Sequence, residues 1–317
     1  MLILTLYVHC SAQNRLETAD AKVEPSLQPL SILRQVALIC HLWQQYVNTA
    51  LLPLASSSVT TRREMVMFNN QTISRLEGGA NQLLQKVTES VVNWLSQQLR
   101  KQSKNDFKPR NDDISFARVN TEPCVACCDM LEKVRNAAKQ HLSGKNLEVF
   151  LTEVGVAFHG LLLDHMRKFP VSATGALMLT KDIKSYQDAI AGFGIPALFE
   201  RFEFLRQLGN IYLIPPETLK SYITENYLGR VDAELLKPYL ALRSDWGSVE
   251  KGFATTPGLD GAAPEAEEGR SRFGRLSVMM KELEGLKLKE GINMPAMPAM
   301  PSSLTGNFTL NSLSAFR

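Results

Sequence analysis

Long apolar runs are scarce in this 317-residue sequence. The stretch at the amino end, Met1 to Val8, is broken by Thr5 and is far shorter than the ~20 residues that cross a bilayer. It lacks the basic flank of a secretory signal, although Cys10-Ser11-Ala12 resembles a small-x-small cleavage site. It reads as a short helix or strand piece, or as the product of a misplaced start. Charge of one sign is also lacking: 35 Lys and Arg stand against 32 Asp and Glu. Such a balance argues against a chain built around a polyanion, so no nucleic-acid partner is expected. Five cysteines, three of them clustered, are too few and unevenly placed for a disulfide framework, which points to a reducing compartment.

Catalytic and phosphate-binding signatures are missing as well. Gly192-x-Gly194 has neither a third glycine nor a preceding strand. Gly144-Lys145 lacks the glycine five positions earlier that a phosphate loop requires. There is no GxSxG elbow and no pair of carboxylates on a glycine-rich or strand-end scaffold. The sequence therefore predicts no catalytic residue, no cofactor and no small-molecule substrate.

What the chain does contain is helical periodicity. Leu33, Val36, Cys40, Trp43, Val47, Leu51 and Leu54 step by three or four, the spacing that lines one face of a helix, and Pro53 ends or kinks it. Leu84, Val87, Val91 and Trp94 repeat the pattern, as do Cys127, Leu131, Val134 and Ala138. The longest stripe runs Leu147, Phe150, Leu151, Val154, Phe158, Leu161, Leu162, His165 and Phe169. Breaks fall at Pro170, at the Gly192 to Pro196 turn and at Ile214-Pro215-Pro216-Glu217, where Pro216 suits a first helical position. Period-two alternation is scarce, so no sheet is expected. The fold class is all-α, with antiparallel helices in stacked bundles. The expected organisation is an amino-terminal segment 1–28, a helical bundle segment 29–122 ending in a mobile polar connector from Lys101 to Pro123, and a carboxyl-terminal bundle 123–253. The tail 254–317, small, acidic and then Met-Pro-rich, reads as mostly disordered.

Three features compete for chemistry. Cys124-x-x-Cys127-Cys128, with His141 as the nearest further ligand, lacks the second pair of a structural zinc site. It reads as small buried helix residues, with metal or thiol chemistry as the alternative. His159 and His165 lie six apart, about 240° around a helix, so they cannot share a metal-binding face, and His165 falls on the apolar stripe as a core histidine would. Within the tail, a short amphipathic helix near 272–288 places Leu276, Met279, Leu283 and Leu286 at heptad a and d positions. Six basic residues from Arg270 to Lys289 stand against only Glu282 and Glu284, a net charge of +4. Such a helix docks into a partner's groove, lies on an anionic membrane, or packs on its own body.

The phrases LTEVGVAFHGLLLDHMRKF (Leu151–Phe169), ALMLTKDIKSYQDAIAGFGIPAL (Ala176–Leu198) and FEFLRQLGNIYLIPPETLKSYITENYLGRVDAELLKPYLALRSDW (Phe202–Trp246) resemble the carboxyl-terminal part of the exocyst complex component five family, the yeast "Sec ten" subunit. The likeness is to fungal members above all, and the tail phrase RFGRLSVMMKELEGL fits it. It covers roughly Leu30 to Phe253. The resemblance implies an elongated rod of stacked helical bundles of the kind found in multisubunit tethering complexes. It implies a non-enzymatic subunit that tethers secretory vesicles to the plasma membrane during exocytosis, cytoplasmic and peripheral at those sites, with only indirect contact with either membrane. The implied partners are other exocyst subunits, especially the one that binds a Rab GTPase. Tyr222, Tyr227, Arg230, Tyr239 and Trp246 are the expected partner-contact residues in the body, with Leu276, Met279, Leu283 and Leu286 in the tail. Family members are much longer and carry an amino-terminal coiled-coil segment not found here, so a truncated gene model or fragment is expected. A rival is the exocyst-like half of a fungal F-box protein of endocytic recycling.

Overall fold

The computed structural model describes residues 23–109, 119–225, 227–231 and 233–249. The expected tail, its amphipathic helix with Leu276, Met279, Leu283 and Leu286, most of segment 1–28 and the centre of the 101–123 connector lie outside them. Among the described residues the structure is helical. Its one extended pairing is an isolated parallel bridge between Val171 and Arg243.

Helix α1 (Gln28–Tyr46) opens with Pro29, whose missing N–H costs nothing in the first turn, and buries Leu30, Leu33, Val36, Ala37 and Cys40. A π turn comes next at Val47–Leu51, and the helix ends at Leu54 just past Pro53. That π turn explains a departure from the expected stripe. Its extra residue per turn rotates the residues beyond it about the axis, so Leu51 is half-buried and Leu54 is 80% exposed. Helix α2 (Val59–Arg100) has 42 residues and is about 63 Å long. Leu84, Val87 and Val91 are buried as the spacing predicts.

Helix α3 (Glu122–His141) buries Cys127, Leu131, Val134 and Ala138 completely. Helix α4 (Gly144–Met166) starts at a glycine with φ +54°, a left-handed conformation that other residues disfavour. Among the described residues, α4 is the one helix long and apolar enough, by length and composition, to cross a membrane. Its stripe of Phe150, Leu151, Val154, Phe158 and Leu162 is nevertheless buried against protein, as in the core helix of a bundle.

Helix α5 (Ala173–Ala191) is capped by Ser172, whose hydroxyl accepts from the Gly175 N–H. Its partner α6 (Pro196–Asn210) packs along it after a tight turn through Gly194, φ +74°. Helix α7 (Pro216–Glu225) begins at the expected proline with Glu217 in the first turn. A 3₁₀ turn (Tyr227–Arg230) and helix α8 (Ala233–Leu240) complete the set.

The residues group into two compact units. One holds the described part of Met1–Gln97 with Glu132–Val154; the other holds Gln98–Leu131 with the described part of Gly155–Pro298. Each unit takes residues from α2, α3 and α4.

The described ends of the 101–123 connector are anchored. Phe107 is buried edge-on against Phe169, with ring centroids 5.7 Å apart, and its carbonyl accepts from the Ser172 N–H at 2.9 Å. At the far end, Thr121 gives both its N–H (3.1 Å) and its hydroxyl (2.6 Å) to the buried Asp182 carboxylate. Thr121, a polar residue that looks solvated in sequence, is thus taken up by one buried acceptor.

Candidate functional site: a groove on α5 and α6

The open groove of about 710 Å³ in the Gln98–Leu131 and Gly155–Pro298 unit is bounded by α5, α6 and the 3₁₀ turn. Its floor is apolar. Ile190 and Phe202 are almost wholly buried beneath it, and Phe199 stands at the rim, 45% exposed. The α6 core stripe is Leu198, Phe202, Leu205 and Leu208, and Phe199 lies one position off it, on the side that opens to the groove.

The walls are polar and ordered by one carboxylate. Glu203 accepts from Arg206 Nε at 2.9 Å and Nη2 at 2.6 Å, from Gln207 at 2.7 Å and from Gln187 at 3.3 Å. The Arg206 hydrogen bonds hold its pKa below the usual carboxylate range, against the opposing effect of partial burial. Gln207 accepts in turn from the Tyr222 hydroxyl at 2.7 Å. The Tyr227 hydroxyl meets the Glu200 carbonyl at 3.5 Å, and partial burial, then Glu200 and Glu203, push its pKa up. Lys184 pairs with Asp188 at 2.6 Å on the α5 wall, with both side chains well exposed. A carboxylate with four donors and a lowered pKa is a poor base, whereas an apolar floor between polar walls suits recognition of a helix or extended segment.

Tyr227 and Arg230 line this groove, and Tyr222 braces its wall through Gln207 and Glu203. Tyr239 is corrected: it is 1% exposed, its carbonyl accepts from the Tyr212 hydroxyl, and the Arg167 guanidinium lies 5.0 Å from its ring centroid. A ring enclosed in this way is core and has no surface to offer a partner. Trp246 is half-buried and does not line the groove. Sequence reasoning missed Phe199 and Glu203. The available signal was an aromatic off the α6 stripe, beside an acid with Arg and Gln three and four residues on.

The cysteine cluster is built into the core. Cys124 and Cys127 are fully buried, and Cys124 Sγ donates to the Asp182 carbonyl at 3.6 Å. The Cys124 thiol is raised far above its usual range by its hydrogen bond with Cys128, then by burial and by Asp182; Cys127 is raised chiefly by burial. A metal ligand or nucleophile needs the thiolate, which this environment opposes. His141 lies thirteen residues beyond Cys128 on the same helix, about 20 Å along it. Among the described residues no three His, Cys, Asp or Glu side chains come together as a metal site. His159 and His165 are buried and held neutral by that burial, with pKa values lowered to about 3 and about 4.

The profile of the exocyst complex component Sec10-like, alpha-helical bundle family matches residues 4–252. The chain belongs to that family. The match begins at residue 4, within the amino-terminal segment 1–28. Similar curated relatives include exocyst complex component SEC10 of Saccharomyces cerevisiae, 31% identical over 200 residues, which are 63% of this chain and 23% of the yeast protein. Human exocyst complex component 5 is 27% identical over 221 residues, 69% of this chain and 31% of the human one. Exocyst complex component SEC10a of Arabidopsis thaliana is 28% identical over 216 residues, 68% and 25%. This Sec10-like chain therefore spans about a quarter to a third of the length of these relatives.

Proposed function

We infer that this chain acts as a non-enzymatic part of an exocyst complex, holding other subunits in place while secretory vesicles are tethered to the plasma membrane. The observation that carries the reading is the family match over residues 4–252. Its working surface is the α5–α6 groove, where the Phe199 rim and the Ile190–Phe202 floor receive an apolar stripe of a partner subunit, and Arg230 and Tyr227 fix its register. Large amphipathic residues at the centre of a groove concentrate binding energy, and exposed rim charges mainly set specificity. The partners are other exocyst subunits, foremost the one that binds a Rab GTPase. The site of action is the cytoplasmic face of the plasma membrane, reached through those partners. The F-box reading gains nothing from the relatives found, which are exocyst components.

The test is capture of exocyst subunits on the immobilised chain, read by mass spectrometry. The wild type is expected to retain at least one exocyst subunit, and Arg230→Glu combined with Phe199→Asp to lose it. Recovery of no exocyst subunit by a folded wild-type chain overturns the assignment. Equal recovery by the double variant overturns the groove alone.

A further inference from the structure

The Met1–Gln97 and Glu132–Val154 unit carries an apolar face that nothing described covers. On α1, Leu38, Leu42 and Tyr46 repeat every four residues, which places them in one row, opposite the buried row of Leu33, Val36, Ala37 and Cys40. On the opening turns of α2, Val59, Met67 and Phe68 are exposed too, and no residue from Ser56 to Thr72 is buried. All six side chains are more than half exposed. Met67 and Phe68 lie near the α1 row, because Trp43 Nε1 of α1 donates to Asn69 Oδ1 of α2 at 2.9 Å and the Trp43 and Tyr46 rings lie 6.1 Å apart. A solvated helix face ordinarily carries charge, and a cluster of exposed large apolar side chains such as Leu38, Leu42, Tyr46, Met67 and Phe68 marks a surface that receives something.

We propose that the occupant is the amino-terminal apolar segment of this same chain, residues 2–8, laid along the α1–α2 face as an additional element of the bundle. Three observations select it. Leu2, Ile3, Leu4, Leu6, Tyr7 and Val8 form an apolar run followed by a polar stretch from His9 to Lys22, so the run has reason to leave water and the stretch has none. The family's helical-bundle match starts at residue 4, which puts residues 4–8 of the run inside the matched range. The link also reaches. The fourteen residues 9–22 extend to about 45 Å, whereas Leu42 lies only about 21 Å along α1 from its first residue. A tether of that length holds the run near the face at an effective concentration on the order of millimolar, which favours it over a second copy or a free partner.

A photo-crosslinking residue at position 42 of the full chain tests this, with position 177 of α5, 40% exposed, as the control. The expected product is a chain of monomer mass in which position 42 is joined to a peptide from residues 1–9, absent when the probe is at 177. Leu6→Asp, with unchanged helical circular dichroism, is expected to abolish that product and to speed amide exchange across Leu38–Tyr46. Crosslinks that join two copies overturn the assignment in favour of self-association through this face. Crosslinks to another part of the chain, or solvent quenching alone, overturn it outright, and wild-type chain with the probe decides this even where the aspartate variant does not fold.

Discussion

Gly175 occupies its position because the chain leaves no room for a side chain there. A β-carbon would overlap the Phe107 carbonyl oxygen, which is fixed backbone, so relief would have to come from moving the start of α5 or the connector. The same carbonyl accepts from the Ser172 N–H, and Gly175 donates to the Ser172 cap, so movement at either side breaks a hydrogen bond. Gly175→Ala is therefore expected to cost about 2–4 kcal/mol, although alanine favours a helix, and urea denaturation measures it. Arg243 makes a second case. Its guanidinium is buried, donates to the carbonyls of Ile211 and Ile214, and pairs in fork fashion with Asp245 at 2.8 and 2.7 Å. Arg243→Leu leaves two carbonyls of the turn between α6 and α7 without this donor. A loss of about 2–4 kcal/mol is expected in the same assay, whereas Asp245→Asn, at a half-exposed position, costs less than half as much. None of this was legible in the sequence, because Gly175 and Arg243 owe their roles to Phe107 and Ile211, far away along the chain.

Helices were more legible than the segments that join them. The stripes of α3 and α4 could be read directly, since every third or fourth residue from Cys127 to Ala138 and from Phe150 to Leu162 meets the core and the pattern survives any detail of neighbour packing. The α1 stripe failed at Leu54 because a π turn changes the period, and nothing in Val47–Leu51 announces one. Tyr239 was misplaced although its companions Leu235, Leu236 and Leu240 mark a buried face of α8. The α5–α6 groove was half visible. Tyr227 and Arg230 were singled out, but the opening itself comes from the separation of two helices and a 3₁₀ turn, which no single helix encodes. The connector shows the same limit. Its polarity gives no sign that one end, Thr121, is held by a distant acceptor, Asp182. Burial raises the Asp182 pKa, while the Thr121 hydrogen bonds act to lower it. Thr121→Val with Asp182→Leu removes the acceptor and one of its donors together. Hydrogen–deuterium exchange is expected to accelerate at least tenfold at 119–121 and at the onset of α3, with exchange in α7 unchanged; protection retained at 119–121 would show that the anchor lies elsewhere.

For the molecule as a whole, the two buried histidines couple folding to pH. Both have native pKa values far below the ordinary 6.5, His159 at about 3 through burial and the charge of Arg201, His165 at about 4 through burial and the charge of Lys168. Below pH 6.5 the unfolded chain takes up protons that the native chain refuses, so the stability these groups allow is intact above that pH and is lost as pH falls toward 4. Between pH 7.5 and pH 5 each histidine contributes a loss of about 2 kcal/mol, about 4 kcal/mol together. Asp182 and Glu153 act the other way, since burial raises both and the unfolded chain gives up their protons first. The net slope of the wild type is thus a difference of opposing effects, and the histidine part is isolated by comparison. His159→Leu and His165→Leu leave the carboxylates in place. Each is expected to flatten the fall in urea-unfolding free energy between the two pH values by about 2 kcal/mol, whatever it does to stability at pH 7.5. A variant whose fall matches the wild type would place that imidazole in contact with solvent, contrary to its burial beside Phe202 or Phe169.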